Sequence, residues 1–185
     1  MEKICNKQRK TFKEEAGFTL IEILIVVIIL GILATIIIPQ ITISSEDAKL
    51  NTLRTNLSSM RNAIELYYHQ HNQTYPGAKK TDGSGDATVA ADLPAAFVDQ
   101  LTKYTEASGK AAGDSTTLTA PIYGPYLKKG QLPENPYNLK STAKCDITTT
   151  DVTTRTATPA DETGWKFYVK TGVYIANDSA ANQGY

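Results

Sequence analysis

The stretch Lys13–Gln40 reads KEEAGFTLIEILIVVIILGILATIIIPQ and sets one acid, Glu22, into an otherwise uninterrupted apolar run from Phe18 to Ile38. At about 1.5 Å per residue a helix over that run extends roughly 31 Å, the depth of a bilayer's hydrocarbon core. Basic residues precede it and none follows before Lys49, so the positive-inside bias predicts a cytoplasmic leader and a C-terminal body beyond the membrane. A secretory signal peptide shares the basic start, but its apolar run is shorter and ends in small residues at a cleavage site. This run ends in IIIPQ. An uncleaved single-span anchor fits the length and the charge.

Glu22 argues against a plain anchor. A carboxylate at the centre of a spanning helix costs about 2.5 to 3.5 kcal/mol on insertion scales, so an acid retained there calls for a partner. A cut between Gly17 and Phe18 creates one: a new α-amine at the helix start, where the positive end of the macrodipole disfavours a cation and welcomes an acid. A carboxylate four residues on can neutralise that amine, in its own chain or in a neighbour. Gly17 lacks a Cβ, so the backbone there can extend into a narrow peptidase cleft.

GFTLIEILIVVIILGILATIIIP, Gly17–Pro39, resembles the N-terminal signature of type IV pilins and type II secretion pseudopilins. The resemblance implies a membrane aspartyl peptidase that cuts after Gly17 and methylates the new N-terminal Phe18, with Glu22 acting in assembly and Pro39 as the helix-interrupting proline. It divides the chain into a basic leader (1–17), a transmembrane helix segment (18–39), an amphipathic continuation (40–70) and a globular head outside the cytoplasm (71–185). Its leader is longer than many in the family and carries Glu14 and Glu15 beside the cut.

The implied function is that of a structural subunit, not an enzyme: inserted in the bacterial inner membrane, trimmed, and drawn into a filament of like copies. The implied partners are the prepilin peptidase and methylase, an inner-membrane assembly platform, and minor pilins or pseudopilins. The destination is a periplasmic pseudopilus for type II secretion or a surface pilus for adhesion, motility or DNA uptake. The head motifs and the missing disulfide pair favour secretion. A membrane-tethered binding module that never polymerises is the alternative from another class.

Beyond Pro39, the residues Leu50, Leu53, Leu57, Met60, Ile64 and Tyr67 recur at spacings of three and four, one apolar stripe of a helix reaching about His69. Charged residues such as Arg54, Arg61 and Glu65 lie off it, so the stripe is predicted to pack on a head. Pro39 removes a backbone donor and predicts a kink or a point of unwinding. Asp92, Leu93 and Pro94 start a second helix over 94–106, with Phe97, Leu101 and Tyr104 on one face. YGPYLKKGQLPENPYN, Tyr123–Asn138, reads as an ordered irregular loop pinned by tyrosines. Trp165, Phe167 and Val169 alternate with Lys166, Tyr168 and Lys170, and Gly172 precedes VYIAN: a β-hairpin. The fold class predicted is α+β and pilin-like, a long N-terminal helix on a small antiparallel sheet.

The 19 basic and 19 acidic residues balance, with a net of +2 in the first 17 residues, which gives no basis for nucleic-acid binding. Lys79-Lys80 and Lys128-Lys129 read as solvated loop charges. Cys5 lies in the leader and Cys145 stands alone, predicted to be a small buried residue. His69 and His71, two apart, do not share a helix face for a metal. Asp82, Ser84 and Asp86 imitate the start of an EF-hand loop, but Leu93 stands where the closing Glu belongs. The resemblance to pseudopilin heads raises calcium in the C-terminal loop as a test for Asp146, Asp151, Asp161, Glu162 and Asp178, with no assigned ligand set. No nucleophile, phosphate loop or metal spacing supports an enzyme.

Overall fold

The computed structural model describes residues 17–88 and 92–185, and for 36–43 the backbone alone. Helix α1 spans Leu20–Gln70. Its residues belong to two compact units, one ending at Ser45 and the other, the head, running from Glu46 to Tyr185. Within the head, Leu53, Leu57, Met60, Ile64 and Tyr67 are fully buried, so the predicted stripe is the floor of the core. Before Ser45 the large apolar side chains from Phe18 to Leu33 are all exposed. Among the described residues no helix is long and apolar enough to cross a membrane. Side chains are described as far as Thr35 and again from Ser44, so the description breaks off inside the apolar run.

Helix α2 spans Asp92–Thr102 and buries Leu93, Ala96, Phe97 and Leu101. It stops short of the expected end at residue 106. The Leu101 carbonyl accepts backbone N–H groups of Tyr126 and Leu127 (3.0 and 2.9 Å), which occupies a last-turn acceptor with a loop instead of another turn. Tyr104 therefore leaves the helix face and opens strand β1, Tyr104–Glu106, where it is exposed.

Two three-stranded sheets complete the head. In the first, β1 lies between β2 (Ala111–Ala112) and β3 (Ile122–Tyr123), both antiparallel to it. In the second, β5 (Trp165–Tyr168) lies between β4 (Ala143–Asp146) and β6 (Val173–Ala176). The β5–β6 pairing is the predicted hairpin, with Phe167 opposite Tyr174. Its turn needs glycine at 172, where φ is +73° and an added Cβ would strike the Tyr75 ring. The β4–β5 pairing is parallel, which obliges the intervening chain to cross back over the sheet.

That crossover changes the environment of β5. The period-two pattern divides its residues between two faces, and all four are buried. Trp165 and Phe167 enter the aromatic core, stacking on Tyr174 and Phe97 at 5.4 and 4.5 Å between centroids. Lys166 and Tyr168 point the other way and are covered by the returning strap. Lys166 Nζ and Tyr168 Oη both donate to the Thr156 carbonyl, and Tyr168 Oη accepts the Thr156 N–H. Asn177 and Gln183 hold Thr158 and Ala157 in the same way.

Candidate functional site

The N-terminal end of α1 carries the predicted site. Thr19 precedes the first helical residue, and Glu22 is the third residue of the helix. Thr19 N–H and Thr19 Oγ1 each donate to Glu22 Oε2 at 2.8 Å, and Glu22 N–H donates back to Thr19 Oγ1 at 3.3 Å. This is a capping box: hydroxyl and carboxylate satisfy one another's backbone donors at a terminus that otherwise leaves four N–H groups without partners. The signal was present in the sequence as Thr-x-x-Glu, and the sequence reading, occupied with the acid's membrane cost, passed over it.

The box accounts for one carboxylate oxygen. Among the described residues Glu22 Oε1 receives no hydrogen bond, Phe18, one residue ahead of the box, is 83% exposed, and a Cβ added at Gly17 would meet nothing within 4 Å. The segment from Gly17 to Glu22 therefore presents an accessible peptide bond and a pinned acid side by side. Glu14, Glu15 and Cys5 lie outside the described residues. Pro39 lies within the backbone of α1, and its side chain is outside the description.

Of the acids raised for calcium, all but Glu162 have carboxylates that accept hydrogen bonds from the chain. Asp146 Oδ1 accepts from Thr148 and Thr149 N–H; burial opposes its charge, but these bonds win and hold its carboxyl below the usual range. Asp151 accepts from Thr153, Asp161 from the Thr158 hydroxyl, and Asp178 from Asn135 and Asn182. Glu162 sits in a left-handed turn at φ +53°. Among the described residues no group of three or more His, Cys, Asp or Glu is placed to hold a metal. Asp82 accepts from Ser84 N–H and Asp86 pairs with Lys79, so the EF-hand likeness is a loop stabilising itself.

The histidines part company as their spacing requires. His69 is exposed, whereas His71 is buried against a stacked Tyr67 ring at 3.7 Å. Its Nδ1 lies 2.8 Å from the Tyr67 carbonyl and its Nε2 2.9 Å from Thr105 Oγ1. Desolvation by this packing lowers its pKa. Cys145 is buried in β4, and burial pushes its thiol up to about 12, which leaves it protonated and unreactive.

Comparison with known proteins bears on the same N-terminal segment. The family model described as the prokaryotic N-terminal methylation motif matches residues 12–38. The chain is 35% identical over 68 residues to type II secretion system core protein G of Pseudomonas aeruginosa, which covers 37% of this chain and 47% of that protein. To its namesake in Vibrio cholerae it is 36% identical over 67 residues, 36% of this chain and 45% of the relative. In Aeromonas hydrophila the figures are 30% over 88 residues, 47% and 61%. The chain thus spans about half the length of the curated relatives it matches. No solved structure matches significantly. The resemblance to the type IV pilin and pseudopilin family is borne out, and the α+β, pilin-like fold with its long N-terminal helix agrees with it.

Proposed function

We propose that this chain is a filament subunit of the pseudopilin kind, working in type II protein secretion. Residues 1–17 are a cytoplasmic leader, 18–39 a single membrane pass, 40–70 the amphipathic continuation and 71–185 the bulk of an extracytoplasmic head. A prepilin peptidase cuts between Gly17 and Phe18 and the new Phe18 amine is methylated. The subunit is then drawn from the inner membrane by an assembly platform into a filament of like copies with minor pseudopilins. No catalytic step is assigned to the chain itself.

The observation that carries this reading is the Thr19–Glu22 box beside Phe18, in a segment that matches the methylation motif and whose large apolar side chains from Phe18 to Leu33 are all exposed. Glu22 acts twice. Oε2 closes the start of α1, and Oε1 is left to pair with the Phe18 amine of an incoming neighbour. In a low-dielectric bundle that pairing favours one axial register, because any other leaves a charge unmatched. Pro39 weakens the helix between its apolar and amphipathic halves, so that the apolar half can adjust to its neighbours.

Mass spectrometry of the mature N-terminus on envelope and filament fractions tests the reading. A methylated Phe18 in a periplasmic polymer is the expected result. Intact precursor as the working form overturns it, and polymer sheared from the cell surface moves the assignment to a type IV pilus.

A further inference from the structure

Three Asn-x-Ser/Thr triplets occur in the sequence: Asn56-Leu57-Ser58, Asn72-Gln73-Thr74 and Asn177-Asp178-Ser179. Such a triplet is the acceptor pattern for N-linked sugar, in which the side-chain amide nitrogen takes the sugar and the hydroxyl two residues on takes part in recognition. A chain this rich in Asn and Thr forms such triplets by chance, so the fold decides which of them can carry a sugar.

Two are ruled out. Asn56 lies inside α1, and its Nδ2 donates to the Glu134 carbonyl at 3.0 Å, a bond that ties a distant loop to the helix. Asn177 is fully buried. Its Nδ2 donates to the Thr158 carbonyl and to Thr163 Oγ1 at 3.2 and 2.8 Å, and its Oδ1 accepts the Thr158 N–H at 2.6 Å. A sugar on that nitrogen removes one of its two hydrogens and leaves a buried acceptor unpaired.

The middle triplet is placed differently. α1 ends at Gln70, and Asn72 and Gln73 follow it in the left-handed region at φ +51° and +59°, both exposed. Asn accepts that conformation more readily than most side chains. The Gln73 N–H donates to the Tyr68 carbonyl and the Thr74 N–H to the His71 carbonyl, each at 3.0 Å, so the backbone of the turn is fixed. Its two recognition groups are free: among the described residues neither the Asn72 amide nor the Thr74 hydroxyl makes a hydrogen bond. A hollow of about 260 Å³ opens beside them, walled by Lys79, Ala107, Ser108 and Gly109 as well as by Asn72 and Thr74, and it gives a first sugar room next to the turn.

We propose that Asn72 is an N-glycosylation site whose donor is a sugar activated as a diphosphate ester. Asn72 Nδ2 attacks the anomeric carbon. The C–N bond forms as the bond from that carbon to the diphosphate oxygen breaks, the amide gives one proton to a base of the transferase, and the diphosphate leaves with the bonding pair. No atom changes oxidation state. The far end of the diphosphate carries either a nucleoside, used in the cytoplasm, or a polyisoprenoid lipid, used across the membrane. The inference goes beyond the filament reading and stands or falls apart from it.

The test takes the full chain from its own cells. Trypsin cuts after Arg61 and after Lys79 and leaves the triplet in one peptide, Asn62–Lys79. The expected result is that peptide heavier by whole sugar residues, with fragment ions that place the mass on Asn72, while the peptides holding Asn56 and Asn177 stay bare. Thr74→Ala abolishes the added mass with Asn72 still in place, and Thr74→Ser keeps it, which separates recognition of the triplet from folding. Sugar on the precursor that still carries residues 1–17 assigns the donor to the nucleotide form; sugar confined to the chain cut at Phe18 assigns it to the lipid form. A bare Asn72 in every form of the chain overturns the proposal and, where Phe18 is methylated, leaves the filament reading standing. A sugar on Asn72 of an uncut working form does the reverse. Added mass that survives Thr74→Ala, or that sits on a Ser or Thr hydroxyl, also overturns the assignment to Asn72.

Discussion

The two halves of α1 are built from one continuous helix and face opposite situations. From Leu53 to Tyr67 every third or fourth side chain is buried by the chain's own sheets and α2. From Phe18 to Leu33 the large side chains are apolar all round, and nothing among the described residues covers them. A helix apolar on one stripe finds its partner within its own fold, and one apolar on every face requires an environment from outside, lipid or other copies. The charged groups differ too: among the described residues each ion pair of the head has at least one partly exposed partner, whereas Glu22 is the one acid among residues 18–38 and sits at the helix start.

If that contrast is right, changes in the first half alter processing and assembly while the head stays folded. Gly17→Val is expected to hold nearly all of the chain at precursor length, seen as a single slower band on an immunoblot. Glu22→Val is expected to be cut normally and to lose about tenfold or more in polymer yield, equivalent to roughly 1.4 kcal/mol of lost pairing. Normal polymer from that variant removes the pairing role. Head melting stays unchanged in both.

Changes in the second half should do the reverse. Trp165→Ala removes a ring stacked on Tyr174 and a 2.7 Å bond from Nε1 to the Pro133 carbonyl, and should lower stability by about 3 to 5 kcal/mol in urea unfolding. Gly172→Ala, forced against the Tyr75 ring at positive φ, should lose about 1 to 3 kcal/mol. The smallest effect is that of pH. Burial holds His71 below its usual 6.5, so the unfolded chain binds protons that the folded head refuses. Stability is whole above about pH 6.5 and falls as pH drops below it; His71→Gln flattens that part of the urea-midpoint profile.

Local patterns were legible where one element decides its own partners. The stripe on α1 and the Trp165–Ala176 hairpin follow from periods of 3.6 and 2 and from a turn glycine. Glu22 was legible as a residue apart because the apolar run isolates it. What escaped depended on distant chain. The end of α2 is set by Tyr126 and Leu127 amides, and Lys166 and Tyr168 are covered by Thr156, both of them pairings that no spacing announces. The buried His71 likewise answers to Thr105, which alternation alone does not bring near.

The parallel pairing of β4 with β5 also sets what this sheet costs to close. β5 and β6 meet across residues 169–172, a short turn between neighbouring strands. β4 reaches β5 only by way of 147–164, and bringing the ends of that longer loop together costs about 1 kcal/mol more in chain entropy. The bonds from Thr156 to Lys166 and Tyr168 fall within that costlier loop, so they help to offset the entropy lost in forming the parallel strand.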